Sequence, residues 1–250
     1  MAIKFVLNEP ALFLDDIQAL VIGDLHIGIE YELGKSGINL PAQVKKMQKK
    51  IENLIRKTKS KHLVILGDIK HQVPGISYLE ETSIPRFFME LKEKTKVYVC
   101  LGNHDTFLKE LLSEEIEIYD SRGFAIKNYG FFHGHAWPSK QLFLCKYLIT
   151  SHVHPTLLFT DRLGHRIIEP VWIRCKLDRA KIEKKYKIKS KTTEMIIVPA
   201  FNKLLSGSNI NVSKIKNEFI NPVMNEFVKK DKSDLYLLDG TYLGRLRDFG

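Results

Sequence analysis

The order of segments along the chain predicts an α/β fold in which two sheets pack together with helices outside. Up to about residue 115, short and wholly apolar runs alternate with amphipathic helical patterns, and beyond it short strand patterns dominate. No internal repeat or low-complexity linker separates the two halves. A single domain over 1–250 follows, with a motif-bearing core over about 18–210 and a C-terminal extension over 211–250.

Residues 3–7 and 11–14 predict a hairpin turning at Asn8-Glu9-Pro10. ALVIGD at 19–24 has no polar alternation and predicts a strand buried on both faces. Pro41 opens a helix running to about Lys57, since Val44, Met47, Ile51, Leu54 and Ile55 recur at helical spacing. HLVILGD at 62–68 and VYVCLG at 97–102 are further buried strands, with a helix over Ile84–Lys94 between them and another over Asp105–Leu112. RGFAIKN, YGFFHG, KYLITSH, HRIIEPVWIRC and MIIVPAF supply the later strands, and DLYLLDGTYLGRL turns as a hairpin at Asp239-Gly240. The segment 206–232 has no clear pattern.

Composition narrows the class of activity. A hydrophobic share of 44% with 27% charged residues is that of a water-soluble globular chain, and MAIKFVLNEP lacks a signal peptide's long apolar core. A cytoplasmic location without membrane contact follows. Cys100, Cys145 and Cys175 are odd in number and lie in apolar runs, so they predict buried thiols and not a disulfide framework. The net charge of +10 favours an anionic partner. Two basic blocks contribute, from Lys45 and from Lys181. The first fits a solvated helix face and the second a helix end running into a loop, and each also fits a Lys/Glu-rich, heat-adapted surface or a nucleic-acid contact.

The strand ends carry the chemistry. ALVIGDLH, HLVILGD, VYVCLGNHD, GFFHGH and LITSHVH all finish in Asp, Asn or His. In open α/β sheets the loops diverge at the carboxyl ends of strands and leave a crevice there. One region thereby receives Asp24, His26, Asp68, Asn103, His104, His133, His135, His152 and His154. Any one of these alone reads as a turn residue, a helix cap or a core histidine. Five ends that all deliver nitrogen or oxygen donors are not explained by scattered caps. So many ligands exceed the needs of one ion, and clustered carboxylates without cations repel. A set without thiolate suits manganese, iron or zinc.

In order, Asp24-x-His26, Gly67-Asp68, Gly102-Asn103-His104-Asp105, His133-Gly134-His135 and His152-x-His154 resemble the signature of the calcineurin-like metallophosphoesterase superfamily. The resemblance implies a four-layer α/β/β/α sandwich and two divalent metal ions, with manganese expected and iron, zinc or nickel as alternatives. Carried over by motif, Asp24, His26 and His154 hold the first ion, Asn103, His133 and His152 the second, and Asp68 bridges both. His104 is left as the acid/base group with Asp105 to orient it, and His135 lies beside the metals toward substrate. Ser151 stands where the superfamily usually has glycine. The implied reaction is a two-metal hydrolysis in which hydroxide attacks phosphorus in line.

GDLHIGIEYELGKSGINLP and VPAFNKLLSGSNIN are similar to segments of archaeal SbcD-related and bacterial DNA-ligase-associated phosphoesterases. That similarity implies a phosphodiesterase or nuclease acting on DNA or RNA, with a second copy of the chain and DNA-repair proteins as partners. His71 sits where the superfamily's break-repair nucleases have a histidine near the scissile phosphate, and equally fits an exposed loop residue. A DNA footprint would come from the basic surface with Trp172, Arg174 and Tyr186, although Trp172 reads first as a packed core or cleft residue and only second as a base-stacking platform. A phosphatase or diesterase for small nucleotides or metabolites is the alternative, and a non-catalytic binding scaffold a third.

Overall fold

The computed structural model describes residues 3–212 and 220–249. Its first sheet contains β1 (Ile3–Phe5), β2 (Leu12–Leu14), β3 (Ala19–Ile22), β4 (His62–Ile65), β5 (Lys96–Cys100) and β6 (Glu117–Tyr119), in that spatial order. β1 to β3 run antiparallel, which is the expected N-terminal hairpin plus one strand. β3 to β6 run parallel, joined through α1 (Ile29–Lys35), α2 (Val44–Thr58), α3 (Tyr78–Lys92) and α4 (Leu108–Leu111).

The second sheet holds β7 (Phe124–Ile126), β8 (Tyr129–Phe131), β9 (Tyr147–Thr150), β10 (Pro155–Thr160), β11 (Arg166–Leu177), β12 (Glu194–Ile197), β13 (Ser208–Asn209), β14 (Val228–Leu237) and β15 (Tyr242–Arg245). Two helices, α5 (Arg179–Tyr186) and α6 (Pro222–Phe227), belong to this half. β11 is the long central strand, paired with β10 in its first half and with β12 and β14 in its second.

Strand periodicity explains the layers. Leu20, Ile22, Leu63, Ile65, Val97 and Val99 point to the helix side, where Ile51 and Leu54 of α2 and Phe87 and Leu91 of α3 bury against them. Their neighbours Val21, Val64, Tyr98 and Cys100 point the other way and meet Phe131, Ile149, Trp172 and Ile173 of the second sheet. Each fully buried side chain of this kind contributes about 1.5–3 kcal/mol. With Ile182 of α5 and Val223 and Phe227 of α6 also buried, the architecture is the α/β/β/α sandwich expected. The three cysteines are buried free thiols.

Several boundaries differ from the sequence expectation. α3 starts at Tyr78 and not at Ile84, because Ser77 and Glu80 form a reciprocal capping box. The helix expected from Asp105 is reduced to Leu108–Leu111, since Phe107 is left-handed and Asp105 turns inward. α1 and β6 were not anticipated: a seven-residue helix and a three-residue strand offer too few periods to register. Residues 220–249, expected as an extension, supply α6, β14 and β15, and β14 is an integral strand beside β11. The unreadable segment falls partly on 213–219, outside the described residues.

Candidate active site

The parallel strands stop at Ile22, Ile65 and Cys100, and the donors follow in the loops just beyond. To fold these loops back over the strand ends, Asp24 (φ 57°), His26 (41°), Asp68 (50°), His152 (69°) and His154 (44°) all adopt the left-handed region. Such conformations cost on the order of 1–3 kcal/mol each and persist only where surrounding bonds over-determine them. Here those bonds cross between loops: Asp24 N–H donates to Gly67 O at 3.1 Å, His26 N–H to Asp68 O at 2.8 Å and Ser151 N–H to His133 O at 2.9 Å. Gly67 and Gly102 are required by the close approach. A Cβ on Gly67 would lie 2.6 Å from His133 Nδ1, and one on Gly102 would lie 2.2 Å from Asp68 Oδ1.

The donors meet in groups. Asp24, His26, Asp68 and His154 each present one ligand atom, all within 4.8 Å of one another, and Asp68, His133 and His152 form a second such group. Asp68 is common to both, with Oδ2 3.4 Å from His26 Nε2 and 3.3 Å from His133 Nε2. The nitrogens are poised to face a cation. His154 Nε2 lies 3.2 Å from Asp24 Oδ1, yet neither it nor His26 Nε2 has a hydrogen-bond partner among the described residues, although both are buried. Buried polar atoms are normally paired, so lone pairs turned together onto two carboxylates fit a divalent metal.

Charge follows the same geometry. Burial works against ionisation of Asp24 and Asp68, but the facing histidines outweigh it and hold both carboxyls below the usual range. Burial likewise disfavours a charged His133, and Asp68 and Asp24 reverse this, raising it to about 9. Burial and then neighbouring His133 lower His152 to about 4.

Outer contacts fix the rings. His133 Nδ1–H donates to Leu66 O at 2.6 Å, which leaves Nε2 for the Asp68 side. Ser151, small enough to stand 2.7 Å from where a Cβ on Gly23 would fall, adds a hydroxyl that donates to the same carbonyl at 2.6 Å. Asn202 was missed by sequence reasoning. Its side chain donates to Leu25 O at 2.8 Å and so ties the loop after β12 to the loop bearing Asp24. Its partner is 177 residues away, so no local pattern marks it.

His104 is half-buried 4.7 Å from the His26 ring, and its Nδ1–H donates to the backbone carbonyl of His71 at 2.8 Å. The expected orienter, Asp105, does something else. It is buried, and its carboxylate accepts from the amides of Ile69 and Gly102 at 2.8 Å and of Lys70 at 3.3 Å. It therefore clamps the loop after β4 to the loop after β5. Burial and neighbouring Asp68 push its pKa up to about 6.

His71 joins His26 and His104 in a third close group. Asn103 is exposed beside His104. His135 is half-buried, its ring 5.3 Å from that of His133. Trp172 is fully buried against Phe5, as its reading as a packed core residue expects, while Arg174 pairs with Glu194 and Tyr186 packs on Phe143. Among the described residues no helix is long and apolar enough to cross a membrane.

Comparison with known proteins bears on the fold and the family. The chain is similar in structure to the Pseudomonas putida nuclease MPE, with a TM-score of 0.57 at 18% identity over 93% of this chain and 89% of that one. YfcE, a phosphoesterase from E. coli, aligns with a TM-score of 0.44 at 13% identity, covering 91% and 97% of the two chains. No curated protein matches in sequence. The sequence model of the calcineurin-like phosphoesterases matches residues 17–238, which span every donor described above. A metal-ready cluster at the strand ends of two packed sheets and a family match over most of the chain lead to one conclusion: the protein belongs to the calcineurin-like phosphoesterase family.

Proposed function

We propose that the protein is a metal-dependent phosphodiesterase acting on nucleic acid. The observation that carries this reading is the shared carboxylate: Asp68 belongs to both donor groups. Asp24, His26, Asp68 and His154 would hold one divalent ion, and Asp68, Asn103, His133 and His152 the other. Manganese fits a donor set of imidazole, carboxylate and amide without thiolate, with iron, zinc and nickel as competitors. When bound, two such ions supply an activated water and neutralise phosphoryl oxygens.

The chain's own residues do the rest. With Nδ1 committed to the His71 carbonyl, Nε2 is the His104 nitrogen left to hold or release a proton at the leaving oxygen. Asp105 keeps that loop in register with Asp68 through its amide contacts. His135 lies at the edge of the second group, where a substrate oxygen would approach. The net charge of +10 and the resemblance of residues 23–41 and 198–211 to SbcD-related and DNA-ligase-associated phosphoesterases favour a polynucleotide. Pairing of Arg174 with Glu194 and packing of Tyr186 on Phe143 engage two groups considered for DNA contact and favour a small phosphoester as the second reading.

The test is hydrolysis by metal-stripped protein resupplied with manganese, using matched chromogenic phosphate mono- and diesters. Faster diester turnover is the expected result. Preference for the monoester would install the small-molecule phosphatase, and no turnover with manganese, iron, zinc or nickel would refute catalysis altogether.

A further inference from the structure

Beside the metal-ready cluster the surface opens into two adjoining cavities. The first, of about 400 Å³, begins at His154 and is walled by Pro10, Pro155 and Pro170 with Thr156 and Ser206. The second, of about 340 Å³, lies against α2 and is lined by Lys46 and Lys50. Asn202 and Lys203 line both, so the two cavities meet at these residues, between His154 of the donor cluster and the helix, as the two parts of a crevice.

The lysines along it are not equivalent. Lys50 is engaged, paired with Glu9 and lying 4.7 Å from the centre of the Phe201 ring. Lys46 and Lys203 are exposed and have no ion-pair or hydrogen-bond partner among the described residues. Lys203 is also positioned: it follows Asn202, whose amide donates to Asp24 O at 3.3 Å and whose side chain holds Leu25 O. An unpaired cation tied to the backbone of a candidate metal ligand is placed to meet an anion that continues out of the site.

We infer that a single-stranded polynucleotide follows this crevice, with one nucleoside in the proline-walled cavity and its onward phosphates on Lys203 and Lys46. The inference rests on the phosphodiesterase reading above. The two cavities divide the work by charge. Glu169 lines the first, where it repels phosphate but accepts hydrogen bonds from a sugar or base, and the rigid proline faces give an apolar floor without ordering cost. The second is basic and takes the backbone. A base must leave its stack to enter such a cleft, which selects a single strand over a duplex.

The experiment compares the wild type with Lys46→Glu/Lys203→Glu and with Lys45→Glu/Lys49→Glu, an equal charge change at exposed positions of α2 that line neither cavity. Fluorescence anisotropy of manganese-supplied protein reads binding of a short labelled phosphorothioate strand, as DNA, as RNA and as duplex DNA, across a salt series. Hydrolysis of the chromogenic diester is measured alongside. The crevice pair is expected to weaken single-strand binding about tenfold and to flatten the salt slope by about 1.4, the value for two lost phosphate contacts. Its loss on the chromogenic diester should be smaller, and the control pair should bind nearly as wild type. Equal losses in both pairs, an unchanged crevice pair, tighter duplex binding or no single-strand binding would each overturn the crevice. Failure of the wild type on the chromogenic diester would instead refute the phosphodiesterase reading, while the binding arms still judge the crevice.

Discussion

Glu32 Oε2 lies 2.7 Å from His71 Nε2, and this contact dictates how His26 faces the metal-ready cluster. A carboxylate only accepts, so His71 Nε2 carries a proton, and in the neutral ring its Nδ1 is then the acceptor. His26 Nδ1 stands 3.1 Å from that nitrogen and must be its donor. The His26 Nε2 lone pair is thereby turned toward Asp68 and Asp24. His71, expected near a scissile phosphate or loose in a loop, is part of the support for His26.

Magnitudes rank the two links. The Glu32 carboxylate is 68% exposed, and exposed pairs contribute roughly 0–1 kcal/mol. His71 touches His26 directly, and losing such a partner typically costs about 10–100-fold in metal affinity. We therefore expect about tenfold weaker manganese binding at one site in His71→Ala and about threefold in Glu32→Ala, with Glu32→Gln restoring much of the difference. Titration calorimetry checks this, and equal affinity in all three proteins would dismiss the chain of contacts.

Replacing His104 by Ala should lower kcat by about 100–10,000-fold, the usual range for a positioned acid/base group. The two metal affinities should stay within a factor of about two, because His104 bonds the His71 carbonyl and lies outside both proposed ligand sets. Parallel loss of metal and activity would place His104 among the ligands.

Asp105→Ala strips acceptors from three amides in a buried position. Each unsatisfied buried amide costs about 1–3 kcal/mol, so three of them should lower the melting temperature by at least about 6 °C. Differential scanning calorimetry on metal-free protein reads it. A melting temperature like that of the wild type would mean the carboxylate is no clamp.

His133 is raised to about 9 in the metal-free protein, so at neutral pH it holds a proton that a metal must displace. The sign follows: apparent metal affinity rises as pH climbs from 6 toward 9 and levels off above it, with proton release on binding. Calorimetry in buffers of differing ionisation enthalpy measures that release. Affinity flat across this range, with no protons released, would contradict the charge pairing of His133 with Asp68.

Much of the layout is local and was therefore legible in the chain. The wholly apolar runs Leu20–Ile22 and Leu63–Ile65 mark strands covered on both faces, and strand geometry sends their alternate side chains to opposite sides. The donors are legible because each directly follows an apolar run, and a strand's carboxyl end is where its loop must leave the sheet. The capping box at Ser77 and Glu80 was equally open to reading, its two members three positions apart.

Tertiary structure alone decided which atoms face which. Asp105 precedes a short helix and reads as a cap, yet its carboxylate folds inward onto amides 36 and 35 positions earlier in the chain. Glu32 finds His71 across 39 positions, Asn202 finds Leu25 across 177, and Lys203 opens onto the same crevice as Lys46 only because that loop is pinned to the first strand end. Sequence by itself determined the donor types and the strands that carry them, since both rest on neighbours along the chain. Ring orientation, loop clamps and the course of the crevice depend on contacts between segments distant along the chain, which exist only once the strands are assembled side by side and the sheets are packed.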